Sequence, residues 1–525
     1  MPYIIGCIIA AIVFFIAKYL LILPMTTQYS ATWITVIVCL ALADIIAFLL
    51  DSRKQKTRHY IGFCAAILFF IWLGCRIFST PLAQADVYAS RIEVEEGVFD
   101  EDIPKTADLK KIPLMDSSTA AIMGNRAIGD LADVVSQYVV EPDEYSTIIY
   151  QGKVVKVAPL EYDGFFKWMN NHDKGIPGYV IVDPETNSAE YVKLDTPIKY
   201  SGNAYFSENI IRHARKHYPD KLFGNCMFQL DDEGTPVWTL MTFQNKTMFG
   251  AWKADGVVIV NASTGETEWK PLEDAPEWID NLYTGGNAVS LYDDYGMLQN
   301  GFWNTLFSQV GCTRTTNDYG YLAIGNDVYY YTGVTSAASD NSNIGFLLVN
   351  SRTGEFKFYS SPGADEHSAM DAAEGALQNY GYVASFPSLI NVGGEPVYAM
   401  ALKDSSGLVK AYAFVNEKHY SVVGTGDTLN EAMNNYRNNL KKDGYDLQDM
   451  IGEENAVHMT ETVTSVQFVI VDNVTYTYVK AGSGKIYKQI FEETHLFIET
   501  GNEVAVTYDK AEAEKPIISA TIQTQ

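Results

Sequence analysis

The sequence predicts an α+β protein: three N-terminal transmembrane helices, then repeated helix-plus-antiparallel-sheet modules and a small C-terminal β-barrel. Three observations carry this. The first 78 residues are apolar, the rest is acidic and reads as water-soluble, and one strand-and-turn signature recurs along the soluble part. Region boundaries follow as 1–79 for the membrane part, 80–200, 201–285, 286–365 and 366–445 for four α+β units, 455–510 for the barrel and 511–525 for a tail.

The apolar stretches are Tyr3–Leu23, Ala31–Leu50 and Tyr60–Phe78. Each holds about 20 residues, enough for a helix to cross roughly 30 Å of hydrocarbon. The loop between the second and third carries Arg53, Lys54, Lys56 and Arg58, whereas Pro24–Ser30 is uncharged. Short basic loops stay cytoplasmic, so the N-terminus is expected inside and the long C-terminal region outside; Arg76 opposes this weakly.

Two ionisable residues fall within the spans. Lys18 sits near an end, where its stem reaches the interface. Asp44 lies deeper and is the intramembrane candidate, because a carboxylate in lipid needs a partner or a proton. An axial offset of roughly 12 Å at 1.5 Å per residue separates it from Lys18. A protonated Asp44, or one facing another helix, is the bland reading; a contact to another membrane subunit is the sharper one. Ala83-Gln-Ala85 matches the small-x-small pattern of signal peptidase, but the long apolar run before it argues for retention.

From residue 80 onward, 32 Lys and Arg face 62 Asp and Glu, a net charge of −30. Nucleic-acid binding needs a basic face, so it is excluded, and docking on anionic lipid is disfavoured. Cys7, Cys39, Cys64 and Cys75 lie in the spans; Cys226 and Cys312 alone are outside, a single possible disulfide pair that reads rather as two buried free thiols. The Asn245, Asn261 and Asn473 sequons match by composition.

The recurring signature is Val180–Thr186, Val258–Glu266 and Leu347–Glu355, with a degenerate copy at Ala413–His419. In each, β-formers run into an Asx-led turn, and Gly265 and Gly354 supply its left-handed residue. A second signature precedes it: Gly234-Thr-Pro-Val-Trp, Gly394-Glu-Pro-Val-Tyr and a looser copy at Gly325, at offsets of 27, 22 and 25 residues from the turn. Helices are expected upstream, over Ser207–His217 with Ser207 as N-cap and over Ser368–Gln378. In the first unit they are expected at Ser117–Met123, Ile128–Tyr138 and Phe165–Asn171, and a hairpin at Ile148–Val157. Thr428–Lys441 is a further helix, with Met433, Tyr436 and Leu440 on one face. Short strands at Glu461–Val471, Thr475–Val479, Ile486–Phe491 and Val504–Tyr508 give the barrel of OB or SH3 type, with Ile517–Ile522 as an edge strand.

The helix followed by a meander ending in V-[DN]-x-x-T-G-E resembles the PepSY module. The residues are Val260-Asn261 with Thr264-Gly-Glu266 and Val349-Asn350 with Thr353-Gly-Glu355, helped by the Trp238 and Tyr398 strands. It spans about residues 200–425. The chain also resembles large uncharacterised membrane proteins of Gram-positive bacteria, in stretches such as Ile176–Val180 and Ala401–Lys410. PepSY modules bind or restrain other proteins, so the resemblance implies binding of a protein partner in the membrane or envelope.

Catalytic patterns are missing: no Gly-x-Ser-x-Gly, His-Glu-x-x-His, Walker loop or Gly-x-Gly-x-x-Gly after a strand. No cysteine pair has zinc spacing, and no cofactor or metal is expected. His213 and His217 share a helical face, but Arg212, Arg215 and Lys216 would repel a cation, so a solvated basic helix is expected. Asp231-Asp-Glu-Gly234 reads as a turn, Asp293-Asp294 as bland, Cys312 as no nucleophile, and Tyr329–Tyr331 as strand residues rather than a sugar platform. A non-catalytic binding, scaffold or regulatory protein is the expectation. The alternatives are a cell-wall or peptide hydrolase with a carboxylate site, and a ligand sensor coupled to a membrane partner.

Overall fold

The computed structural model describes residues 2–50, 59–106, 109, 112–129, 134, 136–337, 339–442, 456–471, 474–491, 493–509 and 516–524. The basic loop with Lys54, the Asp472-Asn473 turn and the start of the tail fall outside them. The chain forms two compact units, Met1–Glu95 with Met115–Phe358, and Glu96–Leu114 with Tyr359–Gln525. Both are α+β.

Three helices long and apolar enough to cross a membrane open the first unit: Pro2–Leu20, Ser30–Leu50 and Tyr60–Phe78. Such helices satisfy their backbone groups internally, which hydrocarbon demands. With no hydrophobic drive between helices in lipid, small residues set the close approach. Ala10, Cys39 and Ala43 form the buried seam, and Gly6 lies against the Ala43 backbone. Helix Pro81–Ala89 follows, kinked at Gln84, so the Ala83–Ala85 motif sits in a helix rather than in an extended, cleavable strand.

Four antiparallel meanders follow. The first runs Ser146–Tyr150, Lys153–Pro159, Ile176–Asp183, Ser188–Ile198. Helix Ser117–Gly129 lies on it, longer than expected; most of the helix expected over Ile128–Tyr138 falls outside the described residues, of which Val134 is helical and Tyr138 starts a short strand. The second runs Leu222–Leu230, Pro236–Asn245, Trp252–Asn261, Thr267–Pro271. The third pairs Gly320–Ile324 and Thr313–Thr315 with Asp327–Ser336, then Ser339–Asn350 and Phe356–Gly363. In the second unit, Ser388–Val392 leads to Glu395–Lys403, Val409–Asn416 and Val423–Gly426. Helices Gly285–Leu298 and Glu366–Ala376 precede the third and fourth meanders. The latter is capped by Asp365 and starts two residues before the expected Ser368.

The turns repeat atom by atom. Val237 pairs with Asn261, Tyr329 with Asn350, and Val397 with Asn416. Tyr329 is four residues past its glycine and the others three past theirs, so the looser copy carries one extra turn residue. Asn261 Oδ1 accepts from the Ser263 and Thr264 amides at 3.0 and 2.8 Å; Asn350 Oδ1 accepts from Arg352 and Thr353 at 2.9 and 2.9 Å. Gly265 and Gly354 have φ of +77° and +71°, the left-handed region that favours glycine. Each abuts a tyrosine ring, Tyr200 and Tyr283. The residue after the Asn accepts backbone amides from the segment ahead of the helix: Ala262 from Lys199 and Tyr200, Ser351 from Leu282 and Tyr283, Glu417 from Ala364.

The second sheet is buried on both faces. Val258 and Val260 join one core with the first meander, while Val257 and Ile259 join another with the third. Alternation of side chains across a strand explains why Val257–Val260 is an unbroken apolar run.

Helix Leu429–Lys442 packs Ala432, Met433, Tyr436 and Leu440 onto the fourth sheet. The last strands form one six-stranded sheet in the order Ile518–Ser519, Ile486–Ile490, Val474–Ala481, Ala456–Val471, Glu503–Asp509, Thr521–Thr524. Among the described residues no pairing joins its two ends, so the expected barrel is an open sheet around Val463, Val479, Tyr487 and Val504. Tyr487 hydrogen-bonds Glu461 at 3.0 Å inside it.

Candidate functional site

The most informative site lies where the spanning helices meet the sheets. Helix Ile210–His217 is capped by Asn209, whose side chain accepts from the Arg212 amide at 3.2 Å; Ser207, the expected cap, instead lies in a 3-10 turn, Phe206–Glu208. Ile210 and Ala214, four apart, point into the first core. That leaves Arg212, Arg215 and Lys216 for the opposite side. The helix is therefore not the solvated basic helix that its sequence suggests. It faces the end of the first spanning helix.

Arg212 donates to the Tyr19 carbonyl and lies over the Tyr19 ring at 4.5 Å. A cation at the C-terminal carbonyls of a helix is favourable there. Nearby contacts fix the same end of the bundle. The Met25 amide donates to Pro219 at 2.6 Å, Gln28 and Asn245 exchange hydrogen bonds, and Arg76 donates to the Phe249 carbonyl at 3.2 Å. Arg76, which weakly opposed the orientation signal, is thereby used to hold the sheets.

Between them lies a pocket of about 590 Å³. Its apolar wall is Phe15 and Tyr19 from the first helix and Ile22 and Leu23 from the turn after it, with Tyr200 and Phe206 opposite. Its charged lining is Lys18, Lys199, Arg212, Arg215 and Lys216, against one carboxylate, Glu208. Glu208 is engaged elsewhere: it accepts from Trp168 Nε1 at 2.9 Å and lies 3.4 Å from His172 Nδ1. Among the described residues no carboxylate pairs with Lys18, Lys199, Arg212 or Lys216. Arg215 is more structural, donating to the Lys221 carbonyl and lying over Phe223; burial pulls its pKa down to about 10. His213 donates to the Gly265 carbonyl at 2.8 Å, and its ring lies 4.0 Å from that of Tyr200 at a tilt of 45°. Burial lowers its pKa, opposed by that carbonyl and helped by His217, Lys216 and Lys199. The rings of His213 and His217 lie 4.9 Å apart, and among the described residues no group of three or more His, Cys, Asp or Glu could hold a metal. The lining suits an anionic ligand with an apolar portion.

Asp44 is not near this pocket's charges. Its Oδ2 lies 2.6 Å from His59 Nδ1, at the start of the third helix, above Gly62. The intramembrane carboxylate thus has a partner within the chain. Asp231 closes a turn on the Glu233 and Thr235 amides. Asp294 is not bland: it pairs with Arg91, whose side chain is 2% exposed between Tyr88 and Trp252. Cys226 and Cys312 are free thiols, and Cys312 is buried against Asn304. Tyr331 is buried, Tyr330 donates to Asn281, and Tyr329 and Tyr330 are half-buried strand residues.

Sequence reasoning missed a buried polar seam. Lys156, on the first sheet, is 2% exposed; it donates to Thr147 at 2.9 Å and lies over the Tyr321 ring at 4.5 Å. Burial pulls its pKa down to about 8, with Asp116 opposing. Asp280 is pushed up to about 7 by burial and Glu161 to about 8 by burial and Glu144. These carboxyls are 2% and 5% exposed, enclosed by protein rather than open to a substrate.

No protein-family model matches the chain, and no curated protein does. Among solved structures, an exo-beta-1,3-galactanase from Phanerochaete chrysosporium with beta-1,3-galactotriose is similar at 10% identity and a TM-score of 0.19, over 74% of this chain and 99% of that one. A polysaccharide lyase is similar at 8% identity and a TM-score of 0.17, over 72% and 81%. Scores this low carry no argument about fold or activity.

Proposed function

We propose that this is a membrane-anchored, extracytoplasmic binding protein of a bacterial envelope, which scaffolds or regulates a protein partner at the membrane surface. Its N-terminus is cytoplasmic and its sheets lie outside, by the Lys54 loop. The meanders with matching Asx turns support a PepSY-like reading, and with it a binding role. The observation that carries the proposal is an exposed aromatic helix, Phe302–Phe307, packed against Pro81–Ala89 directly after the third spanning helix. There Trp303, Leu306, Phe307 and the following Val310 are 61%, 59%, 80% and 70% exposed. An apolar patch of this kind at the bundle's end suits a partner that itself lies at the membrane.

The test is a pull-down of full-length protein in mild detergent, read by mass spectrometry. A stoichiometric membrane or envelope partner, lost in Trp303→Ser/Phe307→Ser, supports the proposal. A protein that comes down alone, while its purified soluble part cleaves wall fragments or peptides, overturns it for the hydrolase. One observation favours a ligand sensor as second reading: the pocket is shared between the first spanning helix and the sheets, so occupancy acts on both.

A further inference from the structure

We propose that the pocket between the first spanning helix and helix Ile210–His217 binds the phosphate-bearing headgroup of an anionic membrane lipid. This goes beyond partner binding and does not depend on who the partner is.

Charge comes first. The chain carries 64 Asp and Glu against 38 Lys and Arg. Five of those cations nevertheless converge on one concavity with a single carboxylate, and that carboxylate is turned to Trp168 and His172. Like charges repel when gathered, so such a cluster is stable when an anion sits among them. Lys18, Lys199 and Lys216 have no protein carboxylate to neutralise them, in a molecule with acid to spare.

Depth decides the source of the anion. Phe15, on the apolar wall, lies five residues inside the end of helix Pro2–Leu20 and is 65% exposed. Five residues are about 7.5 Å along a helix, so the wall descends into the hydrocarbon while Lys18 and the soluble cations sit at headgroup level. A soluble phosphate would use the cations and leave Phe15 and Ile22 idle. A lipid uses both, with its phosphate among the cations and its acyl chain along the helix. A volume of about 590 Å³ is within the roughly 300–1,000 Å³ of small-molecule pockets. The net charge that disfavours docking on anionic lipid averages over the whole soluble region; the cations that matter are local.

The test uses full-length protein in a nonionic detergent, titrated with dihexanoyl phosphatidylglycerol, dihexanoyl phosphatidylcholine and glycerol 1-phosphate, and read by native mass spectrometry. Phosphatidylglycerol is expected to bind at least tenfold more tightly than either of the others. Lys199→Gln/Lys216→Gln should weaken it tenfold or more with Tm unchanged, because both lysines are exposed. Lys174→Gln/Lys193→Gln, of equal charge and outside the pocket, should leave it unchanged. Phe15→Ala should weaken phosphatidylglycerol and leave glycerol 1-phosphate as it was. If glycerol 1-phosphate binds as tightly as phosphatidylglycerol with the same loss in the lysine variant, the lipid source is overturned in favour of a soluble phosphate. Equal binding of the two lipids, or no effect of the lysine variant, overturns the site.

Discussion

The second and third meanders are built on one frame and used differently. Both close on an Asn-led turn, both set a left-handed glycine under a tyrosine ring, and both hang the strand end on the segment ahead of a helix. Helix Gly285–Leu298 then spends its side chains on packing: Ala288, Leu291 and Tyr292 are core, and a Thr284–Asn287 capping box secures its start. Helix Ile210–His217 buries only Ile210 and Ala214 and turns its cations toward the spanning helices. Tyr283 is 7% exposed, whereas its counterpart Tyr200 lines the pocket. The frame supplies stability in both copies; the charge on one helix supplies a site.

The largest test of that contrast compares Gly354→Ala with Gly265→Ala. Both put a Cβ at positive φ and into a tyrosine ring. Tyr283 is enclosed and cannot yield, so Gly354→Ala is expected to cost about 3 kcal/mol, while Tyr200 can swing into the pocket and Gly265→Ala costs about 1 kcal/mol. Thermal melts of the two variants check it; equal losses would mean that the two tyrosines are equally confined.

Next is Lys156→Met. Its pKa falls from the usual lysine value to about 8 in the folded state, so the folded protein binds fewer protons between pH 8 and 10.5. The penalty is full below pH 8 and fades as pH rises. The variant should be more stable than the parent by about 2 kcal/mol at pH 7, with the gain shrinking toward pH 10. A gain that does not change with pH would sink this account.

Glu417→Ser converts the fourth copy to the third at the residue after the Asn. Burial pushes Glu417 up to about 7, partly offset by the hydrogen bond from Ser361. Its favourable contribution is complete below the unfolded value near 4.5 and is lost as pH rises through 7. The parent should therefore lose stability from pH 5 to 8 more steeply than the variant, a difference of about 1–2 kcal/mol in pH-resolved melts. Smallest is Lys216→Gln, exposed on the pocket rim, which should shift stability by less than about 0.5 kcal/mol. A larger loss would make the basic helix structural, like its neutral counterpart.

The spanning helices and the Asx turns were legible because each rests on local pattern: hydropathy over about 20 residues, or Asn and Gly at fixed spacing. The pocket was not. Its cations come from Lys18, Lys199 and the helix at 212–216, and the net charge of the whole region hides them. Asp44 stands out as a carboxylate in an apolar run, but its partner His59 lies beyond that run, where hydropathy carries no signal. The C-terminal strands were legible singly; whether a sheet closes depends on pairing between its ends, which spacing does not encode. Lys156 looked like an ordinary polar residue of a hairpin, because burial by Tyr321 comes from another meander.

The contact between Arg212 and the Tyr19 carbonyl also sets an order of events during synthesis. The two residues are 193 positions apart. At about 5–20 residues per second, a ribosome needs roughly 10–40 s to make the second after the first. The first helix must therefore enter the bilayer and find its neighbours unaided, and its far end is fastened only when the second meander has emerged and folded. A nascent chain halted before residue 212 would leave that end unfastened.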